Sequence, residues 1–324
     1  METFEKLMAD FPKQFTFEPQ VENAERLPKA NGFVVGGMGG SHLAADLAKM
    51  ISPALPLTIH SDYGLPALPE AALKQSLIIA SSYSGNTEEV IDGLKAAKKK
   101  KLPIVCIAVG GELIALAKKM NLPYIQMPNT GIQPRSALGF SLRALLKVFG
   151  DEKNLRLSKQ LAKTLKPDQI EKAGKALAER LKNSVPVIYS STANRAIAYN
   201  WKIKLNETGK IPAFYNVLPE LNHNEMNGFD VKPSSRQLSE HLYFLLLSDA
   251  ADHPRNKKRM NILEQLYRDR GLRVERLALT GKNIFEKIFN SLLLADWTAV
   301  ASADLYGLES EQVPMIEEFK KLMK

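Results

Sequence analysis

The chain has 324 residues, enough for two domains with cores of their own, and its 45% hydrophobic and 24% charged residues are those of a soluble globular protein. No apolar run approaches the roughly 20 residues of a membrane span; residues 1–6 mix acidic and basic side chains unlike a secretory leader; and the lone cysteine, Cys106, permits no intrachain disulfide, so a cytoplasmic setting is expected. The net charge of +9 is scattered along the chain, which favours small anionic ligands over a nucleic-acid surface.

Residues 1–30 are expected to form one or two helices ahead of the first domain. Residues 32–35 then read as a strand, Gly36-Gly37-Met38-Gly39-Gly40-Ser41 as a tight loop and 43–50 as a helix. The loop is GGxGGS and not GxGxxG, and no acidic residue follows a strand at the usual distance, so no nicotinamide or flavin is expected. Its glycines let the backbone approach a sugar, with the Ser41 hydroxyl at the helix start. A short strand at 57–60 and a turn through Tyr63-Gly64-Leu65-Pro66 follow.

An apolar strand at 76–80 enters Ser81-Ser82-Tyr83-Ser84-Gly85-Asn86-Thr87-Glu88-Glu89, and 88–97 leaves it with the apolar spacing of a helix. At such a junction the first helical N–H groups have no intrahelical partner and attract an anion. Ser82, Ser84 and Thr87 add side-chain donors, and Gly85 allows close approach of a bulky ligand. No lysine follows a glycine as in the GxxxxGK[ST] loop, so one phosphate on a small molecule is expected and not a nucleotide. A Ser/Thr-capped helix without ligand is the plain alternative. The run Lys98-Lys99-Lys100-Lys101 ends this helix, where lysines suit the dipole.

Strand 104–109, with Cys106 as a buried small hydrophobe, helix 113–120 and strand 124–127 complete the first domain's alternation. The pattern predicts an α/β fold, a parallel sheet covered on both faces, with ligands outside the carboxyl ends of the strands. Gly131-Ile132-Gln133-Pro134-Arg135-Ser136-Ala137 opens a helix to about 149, and Arg135 after its proline is placed to reach an oxyanion; an ordinary surface arginine is the alternative. A polar helical connector at 151–182 holds the boundary between domains 1–152 and 153–324. The second half repeats the order: strand 185–190, helix 195–207, strand 242–247, helix 257–270 and strand 274–279, without the phosphate-binding residues. A long apolar helix at 283–304 and a short one at 317–323 end the chain.

Leu205-Asn206-Glu207-Thr208-Gly209-Lys210 and Leu218-Pro219-Glu220-Leu221-Asn222-His223-Asn224-Glu225 carry the remaining chemistry. Glu207 at a helix end is a candidate base, and His223 a candidate proton shuttle. His223 with Glu220 and Glu225 is a weak metal set, since the other histidines stand at 42, 60, 241 and 253; no metal or other cofactor is expected. A solvated polar loop is the alternative for the whole segment. A phosphate site, a carboxylate, a histidine and an arginine fit proton transfer between adjacent carbons of an aldose and a ketose through an enediolate.

Ser82-Tyr83-Ser84-Gly85-Asn86-Thr87 is similar to the signature of sugar isomerase (SIS) domains. Together with Gly37-Met38-Gly39-Gly40-Ser41, Gly131-Ile132-Gln133-Pro134-Arg135, Asn206-Glu207 and the 219–225 segment, it resembles the bifunctional phosphoglucose/phosphomannose isomerases across nearly the whole chain. The resemblance implies two SIS-type three-layer α/β/α sandwiches with parallel sheets. It implies that Gly40, Ser41, Ser82, Ser84 and Thr87 bind the sugar and its 6-phosphate, that Arg135 stabilises the enediolate and that Glu207 moves the proton between C1 and C2. His223 would assist ring opening from the neighbouring subunit of a homodimer, with the active site at the interface. Val313-Pro314 through Lys320 matches a Thr-Pro pattern that places Lys320, or its neighbour Lys321, by the ring oxygen. The family's threonine, linked with accepting both C2 epimers, is Val313 here, and Thr208-Gly209 replaces a common Asn-Ala after the base. A phosphosugar-binding SIS regulator, which would commonly carry a helix-turn-helix domain that 1–30 is too short and acidic to form, and the isomerase half of an amidotransferase, which lacks its N-terminal cysteine here, are the other readings.

Overall fold

A computed structural model describes residues 4–323; residues 1–3, the start of the first expected helix, lie outside the described residues. The chain divides into two compact units, Asp10–Thr164, and residues 4–9 with 165–323. Helix α1 (Phe4–Asp10) leads into the first unit, where residues 11–30 form only two 3-10 turns, Phe11–Thr16 and Ala24–Arg26.

The first unit runs β1 (Gly32–Gly36), α2 (Gly40–Ile51), β2 (Leu57–His60), α3 (Glu70–Gln75), β3 (Ser76–Ser81), α4 (Glu88–Lys99), β4 (Ile104–Ala108), α5 (Gly111–Lys119), β5 (Tyr124–Gln126), α6 (Leu138–Val148), α7 (Glu152–Lys159) and α8 (Leu161–Thr164). Its five strands lie in the order β2-β1-β3-β4-β5, all neighbours parallel. Strands β3 and β4 are buried at every position, as a parallel sheet with both faces covered requires. Val34, Ile78, Ala80, Cys106 and Ala108 pack with Val90 and Leu94 of α4 and Leu113 and Ala117 of α5. The alternating Val35, Ile79, Val105 and Ile107 are buried too and point to the opposite face. Cys106 is wholly enclosed, and burial pushes its thiol up to about 12, so it behaves as the expected small hydrophobe.

Arg143 of α6 fastens the segment that precedes β1. Its Nε donates to the Phe17 carbonyl (2.5 Å), its Nη1 to the Leu155 carbonyl (2.9 Å) and Ser158 Oγ (2.8 Å), and its Nη2 reaches Glu18 at 3.2 Å. A planar fork of donors suits such a divergent set of acceptors.

The second unit runs α9 (Pro167–Leu181), β6 (Val185–Ser191), α10 (Arg195–Glu207), β7 (Phe214–Leu218), β8 (Leu242–Ser248), α11 (Pro254–Asp269), β9 (Arg273–Ala278), α12 (Ile284–Leu305) and α13 (Pro314–Leu322). Its sheet is parallel in the order β7-β6-β8-β9. This repeats β2-β1-β3-β4, so the expected duplication of pattern holds at the level of topology, and the fold is α/β with covered parallel sheets. Helix α12 is apolar on nearly all sides and buried along most of its length, as such a composition demands. Gly174 of α9 lies so close to Trp297 that a Cβ would overlap its side chain. Lys204 of α10 and Asp296 of α12 form a buried ion pair at 2.6 Å, and Trp201 Nε1 donates to Ser291 Oγ at 2.9 Å. No described helix is long and apolar enough to cross a membrane.

Besides the 3-10 turns that replace helix between residues 11 and 30, two elements differ from the sequence reading. Strand β7 stands where only loop was expected: it is an edge strand, half-buried over most of its length with Phe214 exposed, so it lacks an apolar alternation. Helix α3 is six residues long, too short to show a helical period.

Candidate functional site

The first group of functional side chains lies at the carboxyl ends of β1 and β3. After β3 the chain turns through Ser82–Thr87 into α4, and Gly85 adopts φ 76°, a left-handed conformation that favours glycine. A Cβ there would collide with the Gly110 carbonyl. The loop is also braced by Leu113 N–H donating to the Gly85 carbonyl (2.8 Å) and Val109 N–H to that of Tyr83 (2.9 Å).

Within it, the Ser82 and Thr87 hydroxyls are 2.7 Å apart in a hydrogen bond, Gly85 N–H donates to Ser82 Oγ (3.1 Å) and Asn86 N–H to Ser84 Oγ (3.2 Å). Ser82 is buried, Thr87 half-buried and Ser84 exposed. Thr87 is the N-cap residue of α4, yet its side chain caps none of that helix's N–H groups. The first intrahelical bond to Thr87 comes from Ile91 N–H, leaving the N–H groups of Glu88, Glu89 and Val90 without an intrahelical partner. Hydroxyls and backbone donors therefore converge at the positive end of a helix dipole, a setting that takes an anion.

Ser41, buried at the start of α2, accepts from Tyr83 N–H at 3.1 Å, which ties the glycine loop to the hydroxyl loop. A Cβ at Gly40 would overlap the Pro134 carbonyl, so glycine is what lets α2 abut the 3-10 turn Pro134–Ser136. Arg135 sits on that turn and is 2% exposed. Gly40, Ser41, Ser82, Ser84, Thr87 and Arg135 thus belong to three loops, of which the glycine loop touches both the hydroxyl loop and the turn that carries Arg135.

In the second unit, Glu207 is the last residue of α10 and half-buried. Lys210 fixes the exit: its Nζ donates to the Glu207 carbonyl at 2.6 Å and also to the Gln312 carbonyl, just ahead of α13. His223 is exposed on the 3-10 turn Glu220–His223 and makes no hydrogen bond or ion pair with the described residues. That turn is anchored on both sides of the imidazole. Leu221 is wholly buried beneath it, and Asn224 Nδ2 donates to Glu220 Oε1 at 2.8 Å. The Glu225 carboxylate accepts from the Tyr189 hydroxyl of β6 and from Asn216 Nδ2 of β7. Lys320 is exposed on α13, paired with Glu317 of the same helix at 2.7 Å, with Lys321 exposed beside it.

At the carboxyl end of β8, the place matching that of the hydroxyl loop after β3, the second sheet carries carboxylates, which face Ser191 and Asn194 at the end of β6. Asp252 Oδ1 accepts from Ser191 Oγ (2.5 Å) and Asn194 Nδ2 (3.1 Å), and Asp249 Oδ2 pairs with Lys287 Nζ at 2.5 Å. Burial, with the Asp249 charge adding to it, holds the Asp252 carboxyl above the ordinary range. For Asp249, burial works upward too, but the hydrogen bonds from Lys287 and the Ala251 N–H outweigh it and hold the carboxyl below that range. Among the described residues, no group of three or more His, Cys, Asp or Glu side chains is arranged to hold a metal ion.

Sequence reasoning weighed Glu225 only as a metal ligand and passed over Gln14, whose amide is bonded to the Arg135 turn. A glutamate in the same turn as a candidate histidine was a signal for the first; for the second, a separation of 122 positions left none.

Residues 170–323 match the family model described as the bacterial phospho-glucose isomerase C-terminal SIS domain. A bifunctional phosphoglucose/phosphomannose isomerase of Aquifex aeolicus is 32% identical over 100% of this chain and 99% of its own. One of Caldicellulosiruptor bescii is 33% identical over 89% of this chain and 88% of its own. Among solved structures, tagatose-6-phosphate ketose/aldose isomerase from Escherichia coli superposes with a TM-score of 0.68 at 16% identity, covering 95% of this chain and 94% of that one.

Proposed function

Because the chain belongs to the bifunctional phosphoglucose/phosphomannose isomerase family, we infer that it is an aldose–ketose isomerase that interconverts glucose 6-phosphate and mannose 6-phosphate with fructose 6-phosphate. The end-to-end match to isomerases of that name carries this reading.

The roles of the side chains are part of the proposal. Ser82, Ser84 and Thr87, with the first N–H groups of α4, hold the 6-phosphate, while Gly40 and Ser41 line the sugar. This fastens the unreactive end of the substrate, so its binding energy orients C1 and C2. His223 transfers the proton that opens the ring, and Lys320 acts at the ring oxygen. Glu207 then takes the proton from C2 of the aldose and returns it to C1, which gives the ketose. Charge accumulates on oxygen in the enediolate, and the Arg135 guanidinium offsets it. The reaction moves the C2 proton to C1 and the O2 hydroxyl proton to O1 within one molecule and consumes nothing else. A homodimer in the cytoplasm is proposed, with His223 supplied by the second subunit; its exposure and its lack of a partner among the described residues favour that assignment.

Interconversion of the three hexose 6-phosphates, followed by NMR with EDTA present, tests the reading. Activity on glucose and mannose 6-phosphates is expected. A protein that binds one of the three tightly and converts none is a sensor and not an isomerase.

A further inference from the structure

We propose that Gln14 is a positioning residue for Arg135, an amide clamp that fixes the backbone on which the guanidinium is aimed. The inference rests on the reading of Arg135 as the group that stabilises the enediolate.

Gln14 lies in the 3-10 turn Phe11–Thr16, where Phe11 and Phe15 pack edge to face (5.6 Å between centroids) and are buried. Those rings hold the turn against the unit and carry Gln14 inward, to 6% exposure. An amide withdrawn from water this far is tolerated only if both its ends find partners. Both do, on the same target. Nε2 donates to the Ser136 carbonyl at 2.7 Å, and Oε1 accepts from the Gly139 N–H at 2.9 Å. Ser136 is the residue after Arg135, and Gly139 lies in the first turn of α6, whose leading N–H groups have no partner within the helix.

The clamp is shaped from both sides. A Cβ at Gly139 would come within 2.7 Å of the Gln14 Cβ and 2.9 Å of its Oε1, so a glycine at a helical position is what admits the amide. The backbone of the turn also makes bonds of its own, Ser136 N–H to the Gln133 carbonyl (2.9 Å) and Ala137 N–H to the Pro134 carbonyl (3.2 Å). The Ser136 hydroxyl adds nothing, being buried with no hydrogen-bond partner among the described residues. Opposite Gln14, the Pro134 carbonyl rests on Gly40. The turn is thereby gripped between the glycine loop and the amide, and a donor aimed at a developing oxyanion works only while held in place.

A double-mutant cycle tests the clamp by steady-state turnover of fructose 6-phosphate in the full-length protein. Gln14→Met keeps the length and removes both bonds; Gln14→Glu keeps the acceptor for Gly139 N–H and loses the donor to Ser136. Arg135→Ala is expected to lower kcat about 100- to 1000-fold. Gln14→Met is expected to lower it about 10- to 100-fold with KM within about 2-fold, since an interaction made only in the transition state is lost. In the Arg135→Ala background Gln14→Met should change kcat by less than about 2-fold, because what it positions is gone. A merely structural loss would lower the active fraction equally in both backgrounds. Effects that multiply therefore overturn the clamp while leaving Arg135 its role. An Arg135→Ala protein with wild-type kcat overturns that role and the clamp with it. Should Gln14→Met not fold, Gln14→Glu completes the same cycle with the same outcomes.

Discussion

Replacing Glu225 should loosen the turn that carries His223, and the cost can be worked from its partners. The carboxylate accepts from two neutral donors, the Tyr189 hydroxyl and Asn216 Nδ2. Burial, then the neighbouring Tyr267 and Glu225 itself, push the Tyr189 phenol far above its ordinary value, so it remains a donor at any working pH. Gln at 225 can still accept from Asn216 and meet the tyrosine, but loses the charge that strengthens both bonds; the difference between charged and neutral acceptors is about 1 kcal/mol. Ala leaves the enclosed Tyr189 hydroxyl without this acceptor, at roughly 1–3 kcal/mol, while the half-buried Asn216 amide can turn to water. For a unit of this size 1 kcal/mol moves Tm by about 2–4 °C. Thermal unfolding followed by circular dichroism should therefore show a small drop for Glu225→Gln and one of roughly 2–12 °C for Glu225→Ala, with turnover falling in the same order. An alanine variant that melts with the wild type would refute the anchoring.

Glu207→Gln should bind fructose 6-phosphate near normally and lose at least about 100-fold in turnover, the scale of general base catalysis; wild-type turnover would remove Glu207 from that role. Val313→Thr, which restores a hydroxyl ahead of α13, should raise mannose 6-phosphate activity relative to glucose 6-phosphate, and an unchanged ratio in paired assays would count against its part in epimer choice. Asp252 has a folded-state carboxyl raised above its unfolded value, so the native state binds more protons and stability falls as pH rises from the ordinary aspartate range through the raised one. Asp252→Asn removes that slope. Urea denaturation should find it gaining on the wild type as pH rises through that window and losing the gain as pH falls below it; a difference independent of pH would contradict the assignment.

The first hydroxyl loop was legible because two local signals meet there: an unbroken apolar run at β3, and apolar spacing in α4 that places Val90, Ile91 and Leu94 on its inner side. The duplication was legible for the same reason, since β6 and β8 are apolar runs ahead of helices. What escaped is what only tertiary neighbours decide. Phe214 opens an edge strand with its ring exposed, so nothing in its sequence separates β7 from loop. Residues 11–16 were read as helical, but Pro12 and the burial of Phe11 and Phe15 set them as a 3-10 turn. The Gly110 carbonyl against Gly85 depends on two loops meeting. The Gln14 amide finds its partners more than 120 residues away, beyond the reach of any periodicity.

The paired aspartates of the second sheet bear on how much ligand one chain can carry. Asn194, Ser191 and Lys287 form a donor set that an anion would satisfy, and Asp249 and Asp252 already fill it as tethered counter-ions. A phosphate arriving there would meet like charge at short range and donors already spoken for. Repeating the strand order therefore did not repeat the open anion setting: beside β8 the donors are already taken by the chain's own carboxylates.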